Sequence, residues 1–495
     1  MPVNRQAVES DRPLSIVIVG ASGDLARKKI IPALFALYCQ DFLPPDFRVL
    51  GFARTELSDA AFREKVQEHL SCRYAPGVSC GDKMEAFLAR CHYVAGQYDS
   101  TDSFLDLFQS MKRLEGGQPA NRLYYLAIPP TVFLDVAHSI GNAGLVSCGA
   151  RAPWSRVVIE KPFGRDRASS DVMAKDLGDV FSEGQIYRID HYLGKELLQN
   201  LMVLRFANTI FEPLWNAQHI ESVQICWKED IGTSGRGGYF DNFGIMRDVM
   251  QNHLLQIFAL VAMEPPENFK PQPVRDAKVS LLRAIQPLTL EDLVVGQYTG
   301  TTREGKTVPG YTEEPGVPPQ SLTPTFGAAV LHVNNDRWRG VPFMIKAGKG
   351  LDTRINEIRI RFRKKAVNLF ADVLPELPNN LLVIRVQPAE AIYFRILNKV
   401  PGLELALDQT DLDLQYASTF PQNIPDAYEC LLLDALQGDK SLFIRSDELA
   451  ASWDIFTPVL HELEQKGIRP EPYVFGSLGP AAADRLAARY KAVWT

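Results

Sequence analysis

Leu14-Ser15-Ile16-Val17-Ile18-Val19-Gly20-Ala21-Ser22-Gly23-Asp24-Leu25-Ala26 is the stretch that decides the fold of the first part of the chain. Its first six residues are a short, apolar, β-branched run, the pattern of a strand buried in a parallel sheet. A glycine turn follows at once, and then a helical segment from Lys28 to Tyr38. Strand, glycine turn, helix is the context that a dinucleotide fingerprint requires. The spacing is Gly-x-x-Gly, a variant of the commoner Gly-x-Gly-x-x-Gly. The physics survives. Gly20 permits the tight turn, and Gly23, Ala21 and Ser22 let the backbone approach a pyrophosphate at the helix N-terminus. A glycine turn alone can be merely structural; its flanking strand and helix favour cofactor binding.

A second strand, Arg48 to Ala53, ends in Arg54-Thr55. An NAD enzyme usually places an acidic residue near this strand end for the ribose hydroxyl. An arginine suits a 2′-phosphate instead, so NADP is favoured, while nearby Glu56 keeps NAD open. Helical pieces follow at 59–69 and 83–90, strands at 92–95 and 122–127, a helix at 131–140 and a buried strand at 156–159. Ligands in an open α/β sheet sit at the carboxyl ends of strands, which puts Lys161 at the cofactor crevice. Its bond to Pro162 is open to either isomer.

Beyond residue 190 the pattern changes. Segments 220–227, 357–362, 381–387 and 391–396 alternate apolar and polar, as half-exposed antiparallel strands do. The expected fold is an N-terminal Rossmann-type domain, 12–189, followed by a larger α+β domain, 190–495, with a big, mainly antiparallel sheet. Residues 300–325, rich in Gly, Pro and Thr, read as loop. Between the strands lies a helix, roughly 243–263, with an apolar stripe of Met246, Val249, Met250, Ile257 and Leu260. His253 falls in that stripe. A lone histidine there is more often a satisfied core residue. Its functional reading is a desolvated imidazole, kept neutral by burial as a general base must be. Asp248, five residues earlier, is rotated well away on an α-helix, so a carboxylate from elsewhere is needed to orient His253.

Arg188-Ile189-Asp190-His191-Tyr192-Leu193-Gly194-Lys195-Glu196 concentrates a carboxylate, an imidazole, a phenol and an ammonium. Leu193, Leu197, Leu201 and Leu204 are helically spaced. A helix starting after Asp190 puts His191 and Lys195 on one face, with Asp190 as N-cap. That is a ready phosphate site; a capped surface helix with solvated charges is the rival reading.

The chain has 495 residues, 46% hydrophobic and 23% charged, an ordinary globular composition long enough for two domains. A net charge of −6 argues against a nucleic-acid surface, and no apolar run reaches membrane-spanning length. Residues 1–12 hold no secretory apolar core and no long Arg/Ser-rich leader, although an organelle address removed earlier would leave no trace. Seven widely spread cysteines with no CxxC pair suggest neither a disulfide framework nor a metal site, and no metal is expected. Cys72 and Cys80 are the nearest two. Pro76 and Gly77 between them suggest a turn that brings the ends together, and two free thiols beside a loop is the alternative.

Gly20–Ala26, Glu160-Lys161-Pro162-Phe163-Gly164, Arg188–Glu196 and Arg247-Asp248-Val249-Met250-Gln251-Asn252-His253 stand in an order and spacing that resemble glucose-6-phosphate dehydrogenase, from about Leu14 to Tyr473 and beyond. The resemblance implies oxidation of C1 of glucose 6-phosphate to the 6-phosphoglucono lactone with hydride passed to NADP. It implies His253 as general base and Asp190 as the carboxylate that stabilises the imidazolium. His191, Tyr192 and Lys195 match phosphate-binding positions, and Lys349 and Arg354 further substrate contacts. Lys161, Glu229, Asp248 and Gln387 match sugar or cofactor contacts. Gly20, Ala21, Ser22, Gly23, Asp24, Leu25, Ala26 and Arg27, with Lys29 and Arg54, match the coenzyme site. A second NADP site is matched by Arg359, Arg385, Tyr393, Arg395 and Trp494, but Ile355 and Leu478 stand where basic residues are expected, which weakens it.

The segment around Cys72 and Cys80 is similar to plastid-type plant and algal enzymes of this family. There the pair forms a regulatory disulfide reduced by thioredoxin, and reduction lowers activity. The resemblance therefore implies a chloroplast stromal protein without its transit peptide, with the cytoplasm as alternative, and a homodimer or homotetramer. Two other readings are open: a non-catalytic NADP-binding redox sensor, and a dehydrogenase of another hexose 6-phosphate.

Overall fold

The computed structural model describes residues 5–8, 11–74, 79–146, 153–303 and 305–494. Pro76, Gly77 and Cys148 lie outside the described residues. The chain divides into two compact units. The first comprises Met1–Lys195, Pro266–Asp276 and Asn423–Ala450; the second comprises Glu196–Pro265, Ala277–Gln422 and Ala451–Thr495.

The first unit is built on a parallel sheet of β1 (Leu14–Val19), β2 (Phe47–Ala53), β3 (Cys91–Ala95), β4 (Asn121–Leu126), β5 (Ser155–Ile159) and β6 (Ile186–Ile189). Their spatial order is β3-β2-β1-β4-β5-β6, the doubly wound arrangement whose order reverses at β1. All six residues of β1 are buried, as its unbroken apolar run requires. Helices Thr101–Leu114 and Arg167–Val180 and strand β6 escaped the sequence reading. The helices do carry local start signals: Ser100 accepts from the Ser103 amide at 3.3 Å, and Asp166 forms a capping box with Ser169.

The first compact unit is not contiguous in sequence. Beyond β6 the sheet gains an antiparallel edge strand from far along the chain, Phe443–Ile444. Arg156 on β5 donates to the carbonyls of Ala435 and Leu436 at 2.8 and 2.6 Å. The Arg156 guanidinium and these end-of-helix carbonyls satisfy each other, and 423–450 belongs to this unit. The segment after Asp190 also differs from expectation. Asp190 caps a single 3₁₀ turn, His191–Gly194, and Lys195 is extended (φ −73°, ψ 137°) before the helix Glu196–Ala207 of the second unit begins. His191 and Lys195 therefore do not share a helical face.

The second unit is built on a nine-stranded mixed sheet. Its order is Leu407–Gln415, Ala391–Lys399, Leu381–Gln387, Ile355–Phe362, Ile220–Lys228, Phe343–Gly348, Phe326–Leu331, Leu293–Thr299 and Glu471–Val474. Most neighbours are antiparallel; Phe343–Gly348 runs parallel to Ile220–Lys228, and Glu471–Val474 parallel to Leu293–Thr299. The 300–325 stretch is not wholly loop, since Thr301–Arg303 and Lys306–Val308 pair as a ribbon. The helix carrying His253 is a π-helix over Met246–Leu254, continued as an α-helix over Leu255–Ala262. It lies so close to the sheet that a Cβ at Gly327 would stand 2.5 Å from the Met250 sulfur. No helix of the described residues is long and apolar enough to cross a membrane.

Candidate active site

At the carboxyl end of β1, Gly20 has φ +90°, and a Cβ there would stand 2.3 Å from the Ala127 carbonyl oxygen. Only glycine fits this turn. The Gly20 amide donates to Phe52 O at 2.7 Å, and the Gly23 amide to Gly20 O at 2.9 Å, folding the loop back on itself. No side chain caps the helical segment that starts here, among the described residues. Its first amides thus remain available to a pyrophosphate, and the cradle fits a dinucleotide. Asp24 turns outward to Arg27 and Lys28, at 2.9 Å each. Lys29 pairs with Asp426 at 3.3 Å. Arg54 is exposed at the end of β2 and rests its guanidinium on the Tyr98 ring, 5.2 Å from the centroid. The Thr55 hydroxyl, beside it, reaches the Ser22 hydroxyl at 3.3 Å.

At the end of β5, Glu160 is buried and receives the Tyr125 hydroxyl at 2.5 Å and a bond from Tyr428. Burial pushes the Glu160 carboxyl up, opposed by those two phenols. The Lys161-Pro162 bond that follows is cis. Asp190 is buried, and its carboxylate accepts from the Tyr192 amide at 3.0 Å. His191 lies parallel to Tyr428, ring centres 6.1 Å apart, and Lys195 stands 5.0 Å over the Tyr192 ring. A Cβ at Gly194 would meet the Ala427 carbonyl oxygen at 2.4 Å, so the helix Ala427–Gln437 packs on this turn. Tyr428 and Glu160 were missed as site residues. The visible signal for the first is Asp426, an N-cap accepting from the Tyr428 amide at 2.9 Å before an apolar run.

In the second unit, His253 is 3% exposed. Its amide donates to the Asn252 side chain at 2.6 Å, and Asn252 donates to Arg247 O at 3.0 Å. The π-helix corrects the expectation for Asp248. With i→i+5 bonding, residues five apart lie much nearer one face than on an α-helix, so Asp248 and His253 face similar directions. Burial and then the Asp248 carboxylate push the Tyr239 phenol up to about 12. Lys349 pairs with Glu229 at 2.6 Å, its ammonium 5.4 Å from the Trp227 ring centre and 5.5 Å from that of Phe240. Each directly follows one of two paired parallel strands, Ile220–Lys228 and Phe343–Gly348, and the Glu229 amide donates to Gly348 O at 2.9 Å. Arg354 is exposed, and Gln387 ends its strand before a cis proline bond.

Elsewhere on this sheet a cavity of about 490 Å³ is lined by Gln224, Arg359, Arg361, Lys364 and Arg395. Arg359 pairs with Glu357, and Arg395 is bidentate to Asp411 at 2.8 and 2.9 Å. Arg385 and Arg395 flank the Tyr393 ring, whereas Trp494 is buried and donates to Ala483 O at 2.8 Å. Back in the first unit, Cys72 and Cys80 are joined in a disulfide, Cα atoms 5.8 Å apart.

A glycine cradle at the switch point of a doubly wound sheet, in a chain whose other unit buries an imidazole on a π-helix, defines a nicotinamide-dependent oxidoreductase. Residues 17–200 match the family model described as glucose-6-phosphate dehydrogenase, NAD binding domain, and residues 202–495 that of the C-terminal domain. The chain belongs to the glucose-6-phosphate dehydrogenase family, whose cofactor is NADP. It is 54% identical to glucose-6-phosphate 1-dehydrogenase 1, chloroplastic, of Arabidopsis thaliana, over 98% of this chain and 84% of that one. It is 51% identical to the chloroplastic enzyme of Spinacia oleracea, over 99% and 85%. A solved structure of glucose-6-phosphate dehydrogenase in complex with glucose-6-phosphate superposes with a TM-score of 0.90, at 42% identity, covering 98% of this chain and 99% of that one.

Proposed function

We propose that this chain oxidises C1 of glucose 6-phosphate to 6-phosphoglucono-1,5-lactone, the first step of the oxidative pentose phosphate pathway. The observation that carries this reading is the likeness, over nearly the whole chain, to a structure holding that sugar phosphate. NADP, when bound, supplies the hydride acceptor. The chain's own residues do the rest. His253 takes the proton of the C1 hydroxyl, and Asp190 is the carboxylate that stabilises the resulting imidazolium. His191, Tyr192 and Lys195 hold the phosphate, with Lys349 and Arg354 as further substrate contacts. Glu229, Asp248, Gln387 and Lys161 position the sugar, Lys161 also reaching the cofactor. Gly20 to Arg27, with Lys29, hold the pyrophosphate side, and Arg54 selects the 2′-phosphate, supported by its exposed place at the end of β2. Arg359, Arg385, Tyr393, Arg395 and Trp494 form a second, weaker NADP site. Its weakness follows from the carboxylates already paired with Arg359 and Arg395.

Purified protein is expected to form NADPH from glucose 6-phosphate and NADP, and to do so faster than with NAD or with galactose 6-phosphate. Absence of turnover with intact NADP binding would leave the redox-sensor reading instead. A faster rate on galactose 6-phosphate would reassign the substrate.

The same reading places the protein in the chloroplast stroma, as a homodimer or homotetramer, with thioredoxin as a redox partner. The disulfide supports it. Dithiothreitol-reduced enzyme is expected to be less active than oxidised enzyme, and Cys72→Ser is expected to abolish the difference. Equal activities of the two wild-type states would remove the regulatory role.

A further inference from the structure

Both residues after Cys72 reach far along the chain. Arg73 pairs with Glu429, and the Tyr74 hydroxyl donates to the Glu429 carboxylate at 3.0 Å. Asn423 donates to Arg73 O at 3.2 Å, and the Arg73 guanidinium stacks on the Tyr74 ring, 4.7 Å from its centre. Glu429 is 4% exposed, so its carboxylate depends on these partners. Burial raises its carboxyl, and Arg73 and Tyr74 are the largest opposing influences.

The neighbouring residue on the same helix turn is Tyr428. Its ring lies parallel to His191, and its hydroxyl binds Glu160, the residue before Lys161. The Ala427 carbonyl abuts Gly194. One helical turn, 426–429, therefore touches the disulfide segment on one side and the His191–Gly194 turn on the other.

We infer that Arg73, Tyr74 and Glu429 form the junction through which the Cys72–Cys80 bond governs substrate affinity, with Tyr428 as the positioning residue for His191 and Glu160. This rests on the redox reading given above and names the residues that transmit it. A dithiol reductant gives two electrons and two protons to the S–S bond and becomes a disulfide itself; the bond breaks and two thiols remain. The Arg73-Tyr74 segment is then held by one anchor fewer. Its release leaves the Glu429 carboxylate buried without its cation, an arrangement that costs free energy unless the helix start moves. Movement of Tyr428 loosens His191 and Glu160. Phosphate holding weakens, whereas proton transfer at C1 is untouched, so the effect falls on KM rather than kcat.

The test uses the full chain and two variants. Glu429→Gln keeps shape and removes the charge. Arg73→Gln changes the exposed partner, and so guards against a folding defect from the buried one. For each, KM and kcat for glucose 6-phosphate are measured oxidised and after dithiothreitol, with thiols counted by alkylation. Wild type is expected to raise KM about five-fold or more on reduction, the lower end of ordinary coupling between sites. Both variants, disulfide still formed, are expected to show the reduced wild-type KM, little response to reductant and near-wild-type kcat. If both variants keep the full wild-type response, the junction is wrong and the redox reading stands. If wild type has one KM in both states but a lower kcat when reduced, the junction is wrong and the redox reading stands; if neither constant changes on reduction, the redox reading falls and the junction with it.

Discussion

His253→Asn is expected to lower kcat by ~10²–10⁴-fold, the usual contribution of a positioned general base, with KM for glucose 6-phosphate little changed. Asparagine is close in size and polar, so it leaves no large cavity among Met246, Val249, Met250 and Leu254, all buried on the same helix. The backbone amide still donates to Asn252. What is lost is an imidazole nitrogen able to accept the C1 hydroxyl proton. The phosphate-holding residues assigned here, His191, Tyr192 and Lys195, are unaltered, so binding is retained. Steady-state kinetics together with isothermal titration of the sugar phosphate separate the two effects. A near-wild-type rate would remove the role given to His253, and a lost binding signal with unchanged kcat would make it a substrate ligand instead.

Gly20→Ala is expected to be the most damaging single methyl group in the first unit. At φ +90° a non-glycine residue costs about 1–2 kcal/mol, as for other left-handed backbone. The added Cβ would meet the Ala127 carbonyl oxygen at 2.3 Å, and that oxygen belongs to backbone at the end of β4, which cannot rotate away. Overpacking of this kind costs typically about 1–3 kcal/mol more. The strands either open or the turn changes shape, and in both cases the amides no longer converge on a pyrophosphate. Expected results are a lower unfolding temperature by scanning calorimetry and severely weakened NADP binding. Gly178→Ala, in the helix Arg167–Val180, is the control, because a Cβ there meets nothing within 4 Å and the backbone is not left-handed. Unchanged melting and NADP affinity in Gly20→Ala would contradict the cradle.

Much of the first unit was legible because its signals are local. β1 and β5 carry apolar, β-branched runs and β2 and β4 runs rich in Phe, Leu and Tyr, all long enough to be read alone, and β1, β4 and β5 are followed by glycine or proline signals. β6 was not, since Ile186–Ile189 is four residues long, and its edge partner lies some 250 residues away. The Arg188–Glu196 motif shows a different failure. Its leucines do keep helical spacing, but Asp190 satisfies the Tyr192 amide and Gly194 is pressed against Ala427, so a 3₁₀ turn and an extended Lys195 replace the helix start. A contact with a distant segment overrode a local pattern.

By itself, the sequence determined the strand–turn–helix cofactor unit, the sheet-rich second half, the candidate base His253 and the close pair Cys72 and Cys80, since each rests on residue type and short spacing. Tertiary structure alone decided that Cys72 and Cys80 are bonded, that Tyr428 stacks on His191, and that Asp248 turns toward the side of His253. The physical reason is common to all three. A bond, a ring stack and an i→i+5 helix are selected by what packs against them, and those partners, Glu429 beside the disulfide segment and Gly327 under Met250, come from distant parts of the chain.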